Sequence, residues 1–264
     1  MQQSALAAFD VGLRQVNDDF SSVITWQSLS IVLPAYNEEV VIAQTVQDCL
    51  RTLRRYCPNT EVIVVDDGSR DNTGAIADEL ASRDARVVAV HNRPNRGYGG
   101  ALLAGFDAAR GELLFFMDSD GQFNIDQIQD LLRVAAEKPG TVVLGYRAHR
   151  RDPFFRRLNA GAWKRLVRLL LGLKGVRDID CAFKLFPART IRACQVQAEG
   201  AMVNTEFLVK MQRMHVPMVQ VPVAHFARTH GTATGANLSV ILKAFRELMS
   251  LRLRLHHWQP PTLS

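Results

Sequence analysis

The chain has 264 residues, 47% of them hydrophobic and 22% charged, with four cysteines and a formal net charge of +6. That length buries one large core, and the ordinary composition excludes a disordered, collagen-like or disulfide-stapled protein. Cys49, Cys57, Cys181 and Cys194 form no Cys-x-x-Cys pair and have no histidines at zinc-finger spacing, so a reducing, cytoplasmic compartment is expected. The charge is uneven: residues 1–139 hold 12 Lys+Arg against 20 Asp+Glu (−8), and residues 140–264 hold 20 against 6 (+14). The C-terminal half is therefore expected to meet something anionic.

Residues 1–27 carry Asp10, Arg14, Asp18 and Asp19 and read as a lead-in without a signal-peptide core. No run approaches the roughly 18 uncharged apolar residues of a membrane span, so any membrane is met at its surface. Strands are predicted over 28–33, ending at Pro34, and over 61–65, 86–91, 113–117 and 141–144. Between them lie helices opening at Asn37-Glu38-Glu39 and running to about Tyr56, then over 72–82, 101–110 and 125–137. This alternation predicts an α/β fold with a mostly parallel central sheet and helices on both faces. Right-handed crossovers bring the strand-end loops to one edge. Three of them carry chemistry: residues 34–38, Asp66-Asp67-Gly68-Ser69, and Asp118-Ser119-Asp120. A dinucleotide fingerprint is excluded because no glycine follows the first strand, and there is no P-loop.

Ile31-Val32-Leu33-Pro34-Ala35-Tyr36-Asn37-Glu38, Val64-Val65-Asp66-Asp67-Gly68-Ser69-Arg70-Asp71-Asn72-Thr73, Asn95-Arg96-Gly97 and Asp118-Ser119-Asp120-Gly121-Gln122 stand in an order and spacing that resembles the family 2 glycosyltransferases of GT-A fold. Cys181-Ala182-Phe183-Lys184-Leu185-Phe186 narrows the resemblance toward dolichyl-phosphate mannose synthases and bacterial polyprenyl-phosphate glycosyltransferases, with Ala182 where a glycine is common. The likeness covers about residues 29–235. It implies a catalytic domain over 28–235, split into a nucleotide-sugar half (28–122) and an acceptor half (123–235), followed by a basic amphipathic helix and tail over 236–264. It also implies an inverting, metal-dependent hexosyltransferase that uses GDP-mannose or UDP-glucose and a polyprenyl phosphate.

Two carboxylates one residue apart suit a hard divalent cation, Mg or Mn. By resemblance Asp120 is its direct ligand, Asp118 contacts ribose or metal, and Gln122 completes the shell. Asp66 either accepts from a base N–H or closes its turn, and Asp67 serves the turn. Tyr36 stacks on the base with Pro34 and Glu38 around base and ribose, Glu38 being equally a first-turn helix acid. Arg96 and Gly97, before a helix start, suit phosphate, although Arg96 alone also reads as a surface charge. Resemblance gives the acceptor phosphate to Arg147, then Arg157 and Arg228, with Lys184 in the acceptor site or paired with Asp180. Catalytic roles thus fall to Asp118, Asp120 and Arg147.

An ionised phosphate nucleophile needs no general base, so Asp178, Asp180 and Glu206 are not promoted to one. Residues 154–173 and 238–255 mix apolar and basic side chains. Each is either a membrane-surface helix, a seat for a membrane-anchoring partner subunit, or a helix packed on the core. The basic residues stand among Leu and Phe, so nucleic acid is not expected. Alternatives are a relative acting on a hydroxyl acceptor and a non-catalytic nucleotide-sugar-binding subunit.

Overall fold

The computed structural model describes residues 28–57, 59–148, 165–227 and 238–261, without the side chains of 238–243. The lead-in 1–27, Arg157 and Arg228 lie outside them. Seven strands, β1 (Leu29–Ala35), β2 (Thr60–Asp66), β3 (Val87–His91), β4 (Leu113–Met117), β5 (Val142–Arg147), β6 (Phe183–Pro187) and β7 (Met218–Val223), form one sheet. Its order is β3-β2-β1-β4-β6-β5-β7. The described helices are α1 (Ile42–Leu53), α2 (Thr73–Arg83), α3 (Gly97–Ala108), α4 (Ile128–Glu137), α5 (described over 165–171), α6 (Ala188–Cys194), α7 (Val203–Arg213) and α8 (Leu238–His257).

β1 and β4 are buried along their whole length, as continuous apolar runs covered on both faces should be. β1 reaches past the predicted stop and takes in Pro34. Its ladder with β4 ends at Val32, so one flank of Pro34 needs no backbone donor. α1 starts later than predicted because Asn37 adopts φ 57, a left-handed conformation that Asn tolerates and a helix does not continue.

β6 and β7 extend the sheet beyond the five strands predicted. Lys184 interrupts the apolar run of β6, yet it is 0% exposed. β7 carries Gln220 and Pro222, and its place at the sheet edge tolerates proline. β6 is antiparallel to both neighbours, β4 and β5; the other pairings are parallel.

The chain runs from β1 outward through β2 and β3 and then returns to β4 on the other side of β1. That reversal between β1 and β4 is the switch point where open α/β sheets bind ligands. The carboxyl ends of β1 to β5 open on this edge. So does the loop that enters the reversed strand β6.

α3 packs so closely on β1 and β2 that a Cβ on Gly105 would lie 2.2 Å from a Val32 methyl carbon and 3.1 Å from a Val65 one. Gly105→Ala is expected to cost about 1–3 kcal/mol through overpacking. An unchanged denaturation midpoint would contradict this contact.

α8 docks through Leu248, Leu251 and Leu255, all at 0–1% exposure. Phe245, Met249 and Leu253 face outward at 43%, 45% and 65% exposure. The spacing of four residues sets these three in a second apolar row. Among the described residues no helix is long and apolar enough to cross a membrane.

Candidate active site

The loops after β1 and β2 are bonded to each other. The amides of Asn37 and Glu38 donate to Ser69 Oγ (3.0 Å) and Thr73 Oγ1 (2.8 Å). In return, the amides of Arg70 and Asn72 donate to Asn37 Oδ1 (2.8 Å) and Glu39 Oε2 (3.0 Å). Asn37, Glu38 and Glu39 thus hold this junction instead of opening a helix. Pro34 is buried within β1, so it supports the site from beneath, while Tyr36 stands at the rim, 45% exposed.

Asp66, read as a base ligand or as a turn residue, has internal partners. It is 1% exposed, Oδ1 accepts from the Ser69 amide (2.9 Å), and Oδ2 lies 3.2 Å from His91 Nδ1. His91 Nε2 reaches Asp78 at 2.9 Å. Burial alone would raise the Asp66 pKa, but the bonds from Ser69 and His91 prevail and hold it below the ordinary carboxylate value. Asp78 first, against the cost of burial, and then Asp66 hold His91 above its ordinary value.

The His91 contribution to stability is whole below its unfolded pKa of about 6.5 and is lost as pH rises through the higher folded one. The Asp66 contribution is whole above about 3.9 and is lost as pH falls through the lower folded value. The stability difference between wild type and His91→Gln should therefore be largest between about pH 4 and 6.5 and shrink toward pH 8. A difference that grows across that range in urea titrations would contradict the triad.

Asp67, expected to serve its own turn, bridges to the loop after β3. Its Oδ1 accepts from Asn92 Nδ2 (2.8 Å) and from the Arg96 amide (2.9 Å). Arg96 and Gly97 stand at the start of α3 as predicted, but the Gly97 amide donates to Asn95 Oδ1 (3.0 Å) and the anion that Arg96 meets is internal. The Arg96 guanidinium is paired with the Glu199 carboxylate, and the Gly100 amide donates to the Glu199 carbonyl at 3.0 Å. A Cβ on Gly99 would press into the backbone of Ala198 and Glu199, so glycine there lets that loop close over α3. A phosphate at this helix start would meet an Arg96 already paired with Glu199, a contact between residues 103 apart that local motifs do not reveal.

The Asp118-Ser119-Asp120 turn sits at the switch point between β1 and β4. Ser119 Oγ donates to the Pro34 carbonyl (2.7 Å), and Thr45 Oγ1 donates to the Ser119 carbonyl (3.2 Å). The two flanking carboxylates are thereby fixed against β1 and α1. Gly121 takes φ +74, where only a residue without Cβ is unstrained, and the Gln122 amide closes onto Asp120 Oδ1 at 3.0 Å. Burial, then repulsion from Asp120, pushes the Asp118 carboxyl up to about 7, against the Tyr98 hydroxyl and the charges of Lys184 and Arg147. Two crowded carboxylates whose charge is this poorly balanced fit a divalent cation.

Among the described residues no three His, Cys, Asp or Glu side chains are grouped so as to hold a metal ion by themselves. The remaining oxygens would come from a diphosphate and from the Gln122 amide, whose Nε2 is committed to the Phe226 carbonyl (2.8 Å). Tyr98, half-buried and near enough to Asp118 and Asn204 for all three to influence one another electrostatically, is a member of this site that the glycines around it concealed in the sequence.

Across β4 and β6 lies the basic side. Arg147, the last residue of β5, forms a two-point pair with Asp178: Nε to Oδ2 at 2.7 Å and Nη2 to Oδ1 at 2.9 Å. Burial works against the guanidinium charge, but the Asp178 pair outweighs it and raises the pKa. Arg177, unremarked in the sequence, stacks on the Tyr146 ring at 4.8 Å, and Asp180 is exposed beside them.

Lys184 does not reach an acceptor. Its Nζ meets the carbonyls of Ile179 (3.1 Å) and Cys181 and the Asn204 side-chain oxygen (3.4 Å). Those three acceptors use the three donors of an ammonium group, so Lys184 shapes the 179–181 loop from beneath and pairs with carbonyls, not with Asp180. Glu206 is 0% exposed and bonds the amides of Gln197 (3.2 Å) and Ala198 (2.7 Å) and Lys210 Nζ (2.7 Å).

Residues 30–192 match the sequence pattern described as glycosyl transferase family 2. Glycosyltransferase AglD of Haloferax volcanii is 35% identical over 205 residues, which cover 74% of this chain and 32% of that protein. The dolichyl-phosphate beta-glucosyltransferase of Drosophila melanogaster is 32% identical over 215 residues, which cover 74% of this chain and 66% of that protein. The chain thus spans from about a third to just under two thirds of these relatives. Among solved structures, glucosyl-3-phosphoglycerate synthase from Mycobacterium tuberculosis, in complex with Mn2+, UDP and phosphoglyceric acid, superposes with a TM-score of 0.65 at 22% identity, covering 86% of this chain and 78% of the other.

Proposed function

Because the chain belongs to glycosyl transferase family 2 and has the GT-A fold of its solved neighbours, we propose that it moves a hexose from a nucleotide-diphosphate sugar to a polyprenyl phosphate. The observation that carries this reading is the pairing, on one sheet edge, of the Asp118/Asp120 turn with a buried, clamped arginine, Arg147. The relative named for glucosyl transfer to dolichyl phosphate supports the acceptor class.

Breaking the glycosidic bond leaves charge on the departing diphosphate. A divalent cation, Mg or Mn, held by Asp118 and Asp120 with Gln122 beside them, supplies Lewis-acid neutralisation there when bound. The chain's own residues do the rest. Tyr36 offers a stacking face at the rim, the bonded loops 37–39 and 69–73 hold that rim rigid, and Arg96 exchanges Glu199 for donor phosphate. Arg147 holds the acceptor phosphate through N–H groups that Asp178 leaves open. The acceptor oxygen is already ionised, so alignment and charge compensation suffice, and displacement from the far side of the sugar inverts the anomeric centre. The outer row Phe245, Met249 and Leu253 on α8, flanked by the exposed Arg246 and Arg252, suits the surface of an anionic membrane at the cytoplasmic face, or a partner subunit anchored in it.

The acceptor class is tested by supplying UDP-glucose or GDP-mannose with Mn2+ and comparing polyprenyl phosphate, polyprenol and water-soluble sugars. Product from the phosphate alone is expected. Transfer to polyprenol or to a soluble sugar would favour the hydroxyl-acceptor reading, with exposed Asp180 as its base.

A further inference from the structure

We infer that Asp178 is a positioning residue that acts through Arg147, fixing which edge of the guanidinium meets the acceptor phosphate. The inference rests on the acceptor reading above and goes beyond it by assigning a residue and a geometry.

Arg147 closes β5, and Asp178 lies in the loop that enters β6, the strand paired beside β5. Their side chains are 14% and 6% exposed, so the pair is largely shielded from solvent. Asp178 takes the Nε edge, accepting one N–H from Nε and one from Nη2, and its Oδ2 also lies 3.4 Å from the Arg147 amide. A guanidinium carries five N–H groups in one plane. The three that no described residue is seen to engage lie on the Nη1/Nη2 end of that plane, a fork that matches two oxygens of one phosphate.

Asp178 is itself held from both sides. On one side, Gln220 of β7 accepts from the Arg177 amide (2.6 Å) and donates to the Gly175 carbonyl (2.7 Å). On the other, buried Lys184 ties down the carbonyls of Ile179 and Cys181. A carboxylate anchored in this way sets the orientation of a planar partner, as residues supporting a binding group do. The same engagement disqualifies it as a general base, because taking a proton would break the pair.

Asp178→Asn keeps the shape and one acceptor oxygen but loses the charged two-point clamp. It is expected to lower kcat/KM for polyprenyl phosphate about 10- to 100-fold, the range found when a supporting partner is removed, mostly through acceptor KM. Donor KM and the acidic limb of the pH–rate profile should stay in place. In an Arg147→Lys background, where the fork is gone, Asp178→Asn should add less than about twofold if it acts through Arg147.

Multiplying effects in the double variant, a lost acidic limb, or an unchanged acceptor KM in Asp178→Asn alone would each overturn the inference. If Arg147→Lys also leaves acceptor KM unchanged, the acceptor reading falls with it; if Arg147→Lys raises it and Asp178→Asn does not, only the positioning role falls. Should Asp178→Asn melt far below wild type, Asp178→Glu, which keeps the charge but displaces the clamp, replaces it with the same expected rise in acceptor KM.

Discussion

Asp120→Asn is expected to reduce sugar transfer by about a thousandfold or more, several kcal/mol of transition-state stabilisation, without loss of fold. The two effects separate because of where the charge sits. Asp118 is pushed up to about 7 by burial and by Asp120, so removing the Asp120 charge relieves repulsion in the metal-free protein. The asparagine oxygen can still accept from the Gln122 amide that now closes on Oδ1 at 3.0 Å. Thermal melts at neutral pH without added metal should therefore match or exceed wild type, while Mn2+ should raise the melting temperature of wild type only. A variant that transfers sugar at the wild-type rate would remove the Asp118/Asp120 site from the mechanism.

Arg147→Ala is expected to lower kcat/KM for the lipid acceptor by about 10²- to 10³-fold, the loss of a buried, charge-assisted anchor, with donor affinity changed less than about threefold. It also deprives Asp178, 6% exposed, of its two-point partner, so stability should fall by about 3 kcal/mol. Acceptor kinetics and the denaturation midpoint are read together for that reason, and Arg147→Lys, which keeps a charge, should recover more stability than activity. An equal loss of donor and acceptor affinity would move Arg147 from the acceptor to the shared centre of the site.

Much of this site was legible in the sequence because strand ends in a parallel sheet must converge. The apolar runs of β1, β2 and β4 announced their length, and the carboxylates that end them announced the edge. Side-chain partners were less legible. Asp66 and Arg96 have the residue types of ligands, but whether an oxygen or a guanidinium is already engaged depends on His91 and Glu199, which local pattern does not connect. Lys184 misled in the opposite way: a cation beside an apolar run reads as a site group, although a buried ammonium is stable when its three donors all find carbonyl or amide oxygens. The same lysine, with Gln220 and Pro222, broke the patterns that would have shown β6 and β7. Tyr98 went unnoticed because its importance comes from the turn of α3 that carries it to Asp118.

The central claim is that the chain transfers a hexose to a lipid phosphate at a metal-assisted site. The most direct measurement follows organic-extractable label from UDP-glucose, and separately from GDP-mannose, with polyprenyl phosphate and Mn2+, before and after EDTA and again after Mn2+ is restored. The account predicts glycolipid from one donor, lost with EDTA and recovered with Mn2+. Glycolipid formation indifferent to EDTA would contradict the role of Asp118 and Asp120, and donor binding with no lipid product would contradict the acceptor.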